Sequence, residues 1–345
     1  MKVIRTNHVD DALCQGLQHL ADAGVIEDTA RGPVIVAATP VTTCFIHPMN
    51  NASLCPIRDA NPFFHLIEAL WMLSGQSDAR MLDPYIKGFS ERVAEDDQDG
   101  YDHGAYGWRW RSTFGFDQIE RVVQMLRDDP TTRQAVLQMW DCGMDSHDLT
   151  GNWKDRPCNT HIYFRVIAGE YLDMTVCNRS NDIIWGAYGA NAVHFSFLLQ
   201  YLASRLKLKA NLYYQVSNNF HAYLSEIDKL WQRISTFKAD SIEQKLVKLA
   251  ATMGNARPTL YSDYAVPDLN LDLTELQALM AKVNRINANE LKLYADYHPL
   301  EKTILSIASA HRFYRQGEYD YALHCARAIP WPNWREACVN WLRRR

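Results

Sequence analysis

The chain of 345 residues lacks an excess of basic charge: 36 Lys and Arg against 40 Asp and Glu leave a formal net charge of −4. Duplex nucleic acid is therefore not an expected partner, although a few arginines converging on one anion remain compatible with that balance. No run of eighteen apolar residues occurs, so no membrane-spanning helix is expected. The opening stretch MKVIRTNHVDDALCQGLQHL has no apolar core of the signal-peptide kind. The eight cysteines (Cys14, Cys44, Cys55, Cys142, Cys158, Cys177, Cys325 and Cys338) form no CxxC pair and no zinc-type Cys/His cluster, and no metal site is expected. A cytoplasmic location with reduced thiols follows as the expectation, and each cysteine must then be explained by packing or by reactivity. Internal repeats and low-complexity linkers are missing as well.

What remains is an ordinary globular composition. With 47% hydrophobic and 22% charged residues, the chain can build one large domain or two modest ones around a substantial core. HVDDALCQGLQHLADAG spaces its apolar residues at helical intervals up to Gly24, and GPVIVAATPVTTCFIHP reads as strand, turn, strand. NPFFHLIEALWMLSG predicts a helix capped by Asn61, with Pro62 in its first turn and Ser74-Gly75 at its end. DQIERVVQMLRDDP predicts another, stopped by Pro130. RQAVLQMWD follows, and THIYFRVIAGEYLDMTVCNRS holds two alternating runs joined at Ala168, Gly169 and Glu170, a hairpin pattern. NAVHFSFLLQYLASRLKL predicts a long apolar helix, and NLYYQVSNNFHAYLSEIDKLWQRI a strand, a short loop and a helix. From about residue 267 helix dominates, in LTELQALMAKVNRI, PLEKTILSIASAHRFYRQG and YDYALHCARAI, and the basic end WLRRR reads as solvated. Strands and helices mix without strict βαβ alternation, so the expected class is α+β with a mixed sheet packed against helices. The expected division is a domain over 1–265 and a helical extension over 266–345.

A few residue types carry chemistry. In DRPCNTHIYFRV, Cys158 stands directly after Arg-Pro and directly before a strand, a place suited to a nucleophile whose thiolate is favoured by nearby arginines. The competing reading is an inert buried thiol. In CNRSNDIIWGAYGANAV, Arg179 and Ser180 offer a charge-assisted donor and a hydroxyl to a phosphate, Asp182 follows, and Asn191 comes after a Gly-rich bend or else caps the next helix. Glu68 interrupts the apolar run FFHLIEALWML, which is unfavourable unless it is paired, for instance with His65, or functional. His221 and Tyr223 would share one face of a strand and could hold a sugar hydroxyl. Arg133, after a Pro turn, is by itself an ordinary surface arginine.

Taken together, HLIEALWMLSG, AYGWRWR, TTRQAVLQMWD, RPCNTHIYF, CNRSNDIIWG and HAY, in that order from about residue 30 to 265, resemble the thymidylate synthase superfamily. The resemblance implies a thymidylate synthase-like fold, a homodimer with sheets packed back to back, a pyrimidine nucleotide monophosphate as substrate and 5,10-methylenetetrahydrofolate as one-carbon donor. By matching positions it implies that Cys158 attacks C6 of the pyrimidine. Arg179, Ser180 and, from the other subunit, Arg133 would hold the phosphate, with Arg31 as a further phosphate arginine. Glu68 would order water and relay protons, Tyr106 would position the ring, His221 and Tyr223 would bind the sugar, and Asp182 would contact the folate.

The departures concern the second half of the reaction. Gln134 stands where the synthases carry a second phosphate arginine, Asn159 where they carry a histidine, and residues 76–105 hold no tryptophan to shield the transferred carbon. A wetter site favours water addition, giving hydroxymethyl, over hydride transfer, giving methyl. NRSNDIIWGAYGANAVHFS also resembles the nucleotide hydroxymethylase branch more than the methylating one. Asn191 falls at the position that reads the base. A carboxamide there suits uracil, whereas the cytosine-specific relatives use aspartate. The expected activity is conversion of dUMP to 5-hydroxymethyl-dUMP. Alternatives are a thymidylate synthase, a dCMP or CMP hydroxymethylase, and a catalytically silent nucleotide- or RNA-binding homologue; a further one is that the helical end is a docking module for other proteins. Retention of both Cys158 and Glu68 speaks against the silent homologue, since binding alone needs neither.

Overall fold

The computed structural model describes residues 1–94, 100–146, 155–234, 236–256, 268–286 and 297–345. Strands β1 (Lys2–Thr6), β2 (Gly24–Glu27), β3 (Val34–Ala37), β4 (Val41–Phe45), β5 (Val136–Gln138), β6 (Asn159–Ile167), β7 (Tyr171–Asp182) and β8 (Lys209–Tyr223) form one sheet. Its main path runs β1-β4-β8-β7-β6-β5, with β3 also on β8 and β2 on β3. The β1/β4 and β7/β8 pairs are parallel and the others antiparallel, so the fold is α+β with a mixed sheet, as expected.

Local sequence explains much of this. The β6–β7 hairpin turns at Ala168 and Gly169, both at positive φ (53° and 70°), the geometry whose twist matches the flanking strands. β7 alternates in burial, with Leu172, Met174, Val176 and Asn178 facing the core. β8 departs from expectation, because no loop separates strand from helix. The polar stretch Ser217–Tyr223 stays extended because its backbone is paired on both sides, Asn219 and His221 with β7 and His221 and Tyr223 with β3. Sheet pairing here overrides the low strand preference of asparagine.

The helices are α1 (Val9–Ala23), α2 (Pro62–Leu73), α3 (Phe89–Val93), α4 (Tyr106–Arg111), α5 (Gln118–Asp128), α6 (Asn191–Leu206), α7 (Leu224–Gln232), α8 (Ile242–Ala256), α9 (Leu273–Arg285), α10 (Pro299–Arg315), α11 (Tyr319–Arg327) and α12 (Pro332–Arg343). Of these, α3, α4, α8 and α12 are additional to the sequence reading. In α2, Asn61 accepts from the Phe63 and Phe64 amides and Pro62 opens the first turn. Every residue of α2 is buried, since α6 packs on it and so do α9, α10 and α12. The expected boundary at 265/266 lies outside the described residues. The basic C-terminal run is exposed but anchored. Arg344 and Arg345 both pair with Asp59, at 3.1 and 2.8 Å, and Arg345 lies over Trp341. Among the described residues no helix is long and apolar enough to cross a membrane.

Candidate active site

A cavity of about 610 Å³ opens where the ends of β7 and β8 meet α2, α4 and the start of α6. Cys158 lines it from the residue before β6, half-buried. Its carbonyl accepts from the Arg179 amide (2.9 Å), and the Arg179 guanidinium donates to the carbonyls of Pro157 (3.1 Å) and Arg156 (3.2 Å). Arg179 thus braces the loop that presents the sulfur. Asn159 is fully buried and donates to Asn178 Oδ1 (2.6 Å), while Asn178 donates to the Val216 carbonyl, which ties β6 across β7 to β8.

The electrostatics of the thiol differ from expectation. Arg179 and Arg31 do favour the thiolate, but burial and the carboxylate of Asp155 outweigh them, and the Cys158 thiol sits above its usual range. The sequence displays the cations, whereas desolvation and the fold-dependent approach of Asp155 appear only in three dimensions.

Glu68 is buried on α2, and its Oε2 meets His194 Nε2 of α6 at 2.8 Å. The partner is therefore His194 rather than His65, whose imidazole is pushed well down by burial and by Arg58. Tyr106 begins α4 and enters the same cavity, its phenol raised by burial and by the nearby Cys158. Gly107 after it permits a close crossing of α4 on α2, because any Cβ there would overlap the Met72 carbonyl.

Asp182 ends β7 and caps the irregular turn Ile183–Ala190, accepting from the amides of Ile184 (3.1 Å) and Trp185 (3.0 Å). Burial raises its carboxyl, while the same desolvation lowers the His221 imidazole beside it. His221 and Tyr223 lie on one face of β8 with ring centroids 5.3 Å apart. Asn191 is the first residue of α6 and does not cap it; its Nδ2 donates to Asn181 Oδ1 at 3.1 Å. Ser180 and the exposed Arg31 also line the cavity. Arg133 does not; it is exposed on the turn before β5. Ten of the eleven residues singled out from sequence therefore converge.

The sequence model of the thymidylate synthase family matches residues 45–283, which include every converging residue except Arg31. The chain belongs to the thymidylate synthase family. It is 45% identical over 231 residues, 67% of this chain and 64% of the other, to a deoxyuridylate hydroxymethyltransferase of Pseudomonas phage M6. To a deoxyuridylate hydroxymethyltransferase of Bacillus phage SP01 it is 30% identical over 269 residues, 74% and 68% of the two chains. A thymidylate synthase of Buchnera aphidicola subsp. Baizongia pistaciae (strain Bp) is 26% identical over 209 residues, 59% and 73%. The match thus spans less than two thirds of the M6 phage relative's length.

Several lining residues of this thymidylate synthase family member were not singled out from sequence. Trp71 lies three residues after Glu68, on the same helical face, so its spacing was a usable signal. Trp71 and Trp185 together correct one expectation. The absence of tryptophan from 76–105 does not leave the cavity without indole surface, because both come from outside that span. Asp155 stands three residues before Cys158 in the segment that drew attention to the cysteine. It shares the cavity with Asp102, whose Oδ1 accepts from the Gly104 amide (2.8 Å). Burial raises both carboxyls, and the charge of Asp155 raises Asp102 further. His194 and Asn181 carried no sequence signal.

Proposed function

We propose that the chain converts dUMP to 5-hydroxymethyl-dUMP, as the names of the two phage relatives given above suggest. The observation that carries this reading is the placement of Cys158, Glu68, Arg179 and Asn191 around one cavity. Arg179, Ser180 and Arg31 supply cationic and hydroxyl donors for the phosphate, and His221 with Tyr223 supplies polar edges for the sugar. Asn191 presents both an acceptor and a donor to the pyrimidine.

The residues also fit a folate. Trp71, Phe89, Val93 and Trp185 give flat apolar surface for a pterin, and the Asp182 carboxylate gives an acceptor for its N–H groups. Bound 5,10-methylenetetrahydrofolate would supply the one-carbon unit. The Cys158 thiolate adds to C6 of the base, which leaves C5 electron-rich and able to take up that carbon. Glu68, steadied by His194, relays protons through water at the C4 oxygen as charge develops there. Loss of the C5 proton together with departure of tetrahydrofolate would leave an exocyclic methylene on the ring. Water adds to that carbon and the Cys158 sulfur leaves C6, so the net change is replacement of hydrogen at C5 by hydroxymethyl.

A homodimer accounts for Arg133, which lies outside its own cavity and would complete the phosphate site of a second copy. The sheet face turned away from the core helices leaves Val136 and Tyr163 41% and 44% exposed, and supports such pairing. We assign residues 266–345 as an extension whose helices back α2, the helix that carries Glu68, and we place the enzyme in the cytoplasm.

Trp71 and Trp185 favour a second reading, thymidylate synthesis, in which the shielded methylene takes hydride. Mass spectrometry of products from dUMP, dCMP and CMP, each incubated with methylenetetrahydrofolate in heavy-oxygen water, separates the two. Solvent oxygen in a hydroxymethyl product from dUMP is expected. A methyl product with oxidation of the folate to dihydrofolate would overturn the proposal.

A further inference from the structure

A carboxamide facing a pyrimidine is ambiguous. With Oδ1 toward N3 and Nδ2 toward the C4 substituent it matches uracil; turned over, it matches cytosine. Here a chain of buried amides fixes which way Asn191 faces, and its fixed point is a main-chain atom.

Gln215 is fully buried on β8, and one end of its amide lies 3.0 Å from the Ala187 carbonyl. A carbonyl can only accept, so that end of Gln215 is the nitrogen, and its Oε1 is left facing Asn181. Asn181 must answer with Nδ2, which donates to Gln215 Oε1 at 2.8 Å and to Ser217 Oγ at 3.0 Å, using both of its hydrogens. Its Oδ1 then accepts from Asn191 Nδ2 at 3.1 Å. Gly186 covers this last bond closely, since a Cβ there would sit 3.1 Å from Asn181 Oδ1 and 3.4 Å from Asn191 Nδ2. The Asn191 Oδ1 and its second amide hydrogen are what remain for the cavity. Turning Asn191 over would set two carbonyl oxygens against each other in a site where Gln215, Asn181 and Ser217 are all at most 2% exposed.

We infer that Gln215, acting through Asn181, is a positioning residue that commits Asn191 to uracil over cytosine. The inference rests on Asn191 as the base-reading residue of the proposed function. Gln215 does not line the cavity. Its oxygen alone prevents the reversed arrangement, because Ser217 can donate as readily as accept and would serve Asn181 either way round.

The test is Gln215→Met in the full chain, with dissociation constants for dUMP and dCMP and the ratio of their kcat/KM values. The dUMP:dCMP preference is expected to fall at least about tenfold, a 1.4 kcal/mol loss of discrimination. Asn181→Asp keeps an acceptor for Asn191 Nδ2 while setting its second oxygen against Gln215 Oε1, so the fold is weakened but the dUMP:dCMP ratio is expected to stay in favour of dUMP. General damage to the fold weakens both nucleotides alike and leaves the ratio where it was. An unchanged ratio in an active Gln215→Met chain overturns the relay and leaves the proposed function standing. A wild-type chain that binds neither nucleotide overturns both. Should Gln215→Met not fold, Asn181→Ala breaks the relay one step nearer the base and is read in the same way.

Discussion

Glu68→Gln separates the shape of the carboxylate proposed to relay protons from its capacity to move a proton. Glu68 is 6% exposed, and its Oε2 lies 2.8 Å from His194 Nε2, a hydrogen bond in which an ionised Glu68 accepts. A carboxamide oxygen can accept the same bond, so the packing of α2 against α6 survives the change. Stability should shift by no more than about 1 kcal/mol, the usual net worth of one hydrogen bond. The relay of protons at the C4 oxygen does not survive, because an amide neither gains nor gives a proton near neutral pH. Positioned general acid–base groups contribute about 10²- to 10⁴-fold, and kcat should fall by that factor while the dissociation constant for dUMP changes little. Release of tritium from C5-labelled dUMP gives the rate, calorimetric titration gives the affinity, and thermal melting checks the fold. A folded variant that keeps kcat within about tenfold of wild type would show that Glu68 is held by His194 for structure and not for proton transfer.

Other expectations follow from the same geometry. Asp155 raises the Cys158 thiol and Arg179 lowers it, so Asp155→Asn should move the alkaline-rising limb of the pH–kcat/KM profile to lower pH. Arg179→Ala should move that limb upward and also raise the KM for dUMP by about tenfold or more, as expected for loss of a charge-assisted phosphate contact. The Asp102 carboxyl is raised in the folded state, so its contribution is fully present below the ordinary carboxylate pKa and is lost as pH rises through the folded value. Asp102→Asn, which mimics the protonated form, should therefore melt above wild type at about pH 8, and the advantage should vanish below about pH 4. Asn191→Asp should move preference toward dCMP, read as the ratio of kcat/KM values; an unchanged ratio would remove Asn191 from base recognition.

How much of this was legible in the sequence depended on the range of the interaction. Asn61 and Pro62 announce α2 because capping is local, and His221 with Tyr223 share a face because strand period is local. The Ala168-Gly169 turn likewise needs only its neighbours. The pairing of Glu68 with His194 spans 126 positions, and a nearer histidine, His65, was the natural guess. The relay from Gln215 to Asn181 crosses 34 positions and exists only because β7 and β8 are parallel neighbours, with α6 as the connection between them. The helical character beyond residue 267 was visible in its periodicity, but α12 and the hold of Arg344 and Arg345 on Asp59 depend on tertiary packing. The raised thiol of Cys158 is the plainest case. Arginines can be counted in a sequence, but desolvation cannot.

The proposed chemistry turns on one sulfur bonding to one ring carbon, and 5-fluoro-dUMP tests that directly. Fluorine at C5 cannot leave as a proton does, so the adduct formed in the presence of methylenetetrahydrofolate should persist through denaturation and digestion. Peptide mass spectrometry is expected to find the combined mass of the nucleotide and the methylene-linked folate on the fragment containing Cys158 and on no other cysteine. An unmodified Cys158 in a chain that still turns over dUMP, or an adduct on a different thiol, would contradict the mechanism.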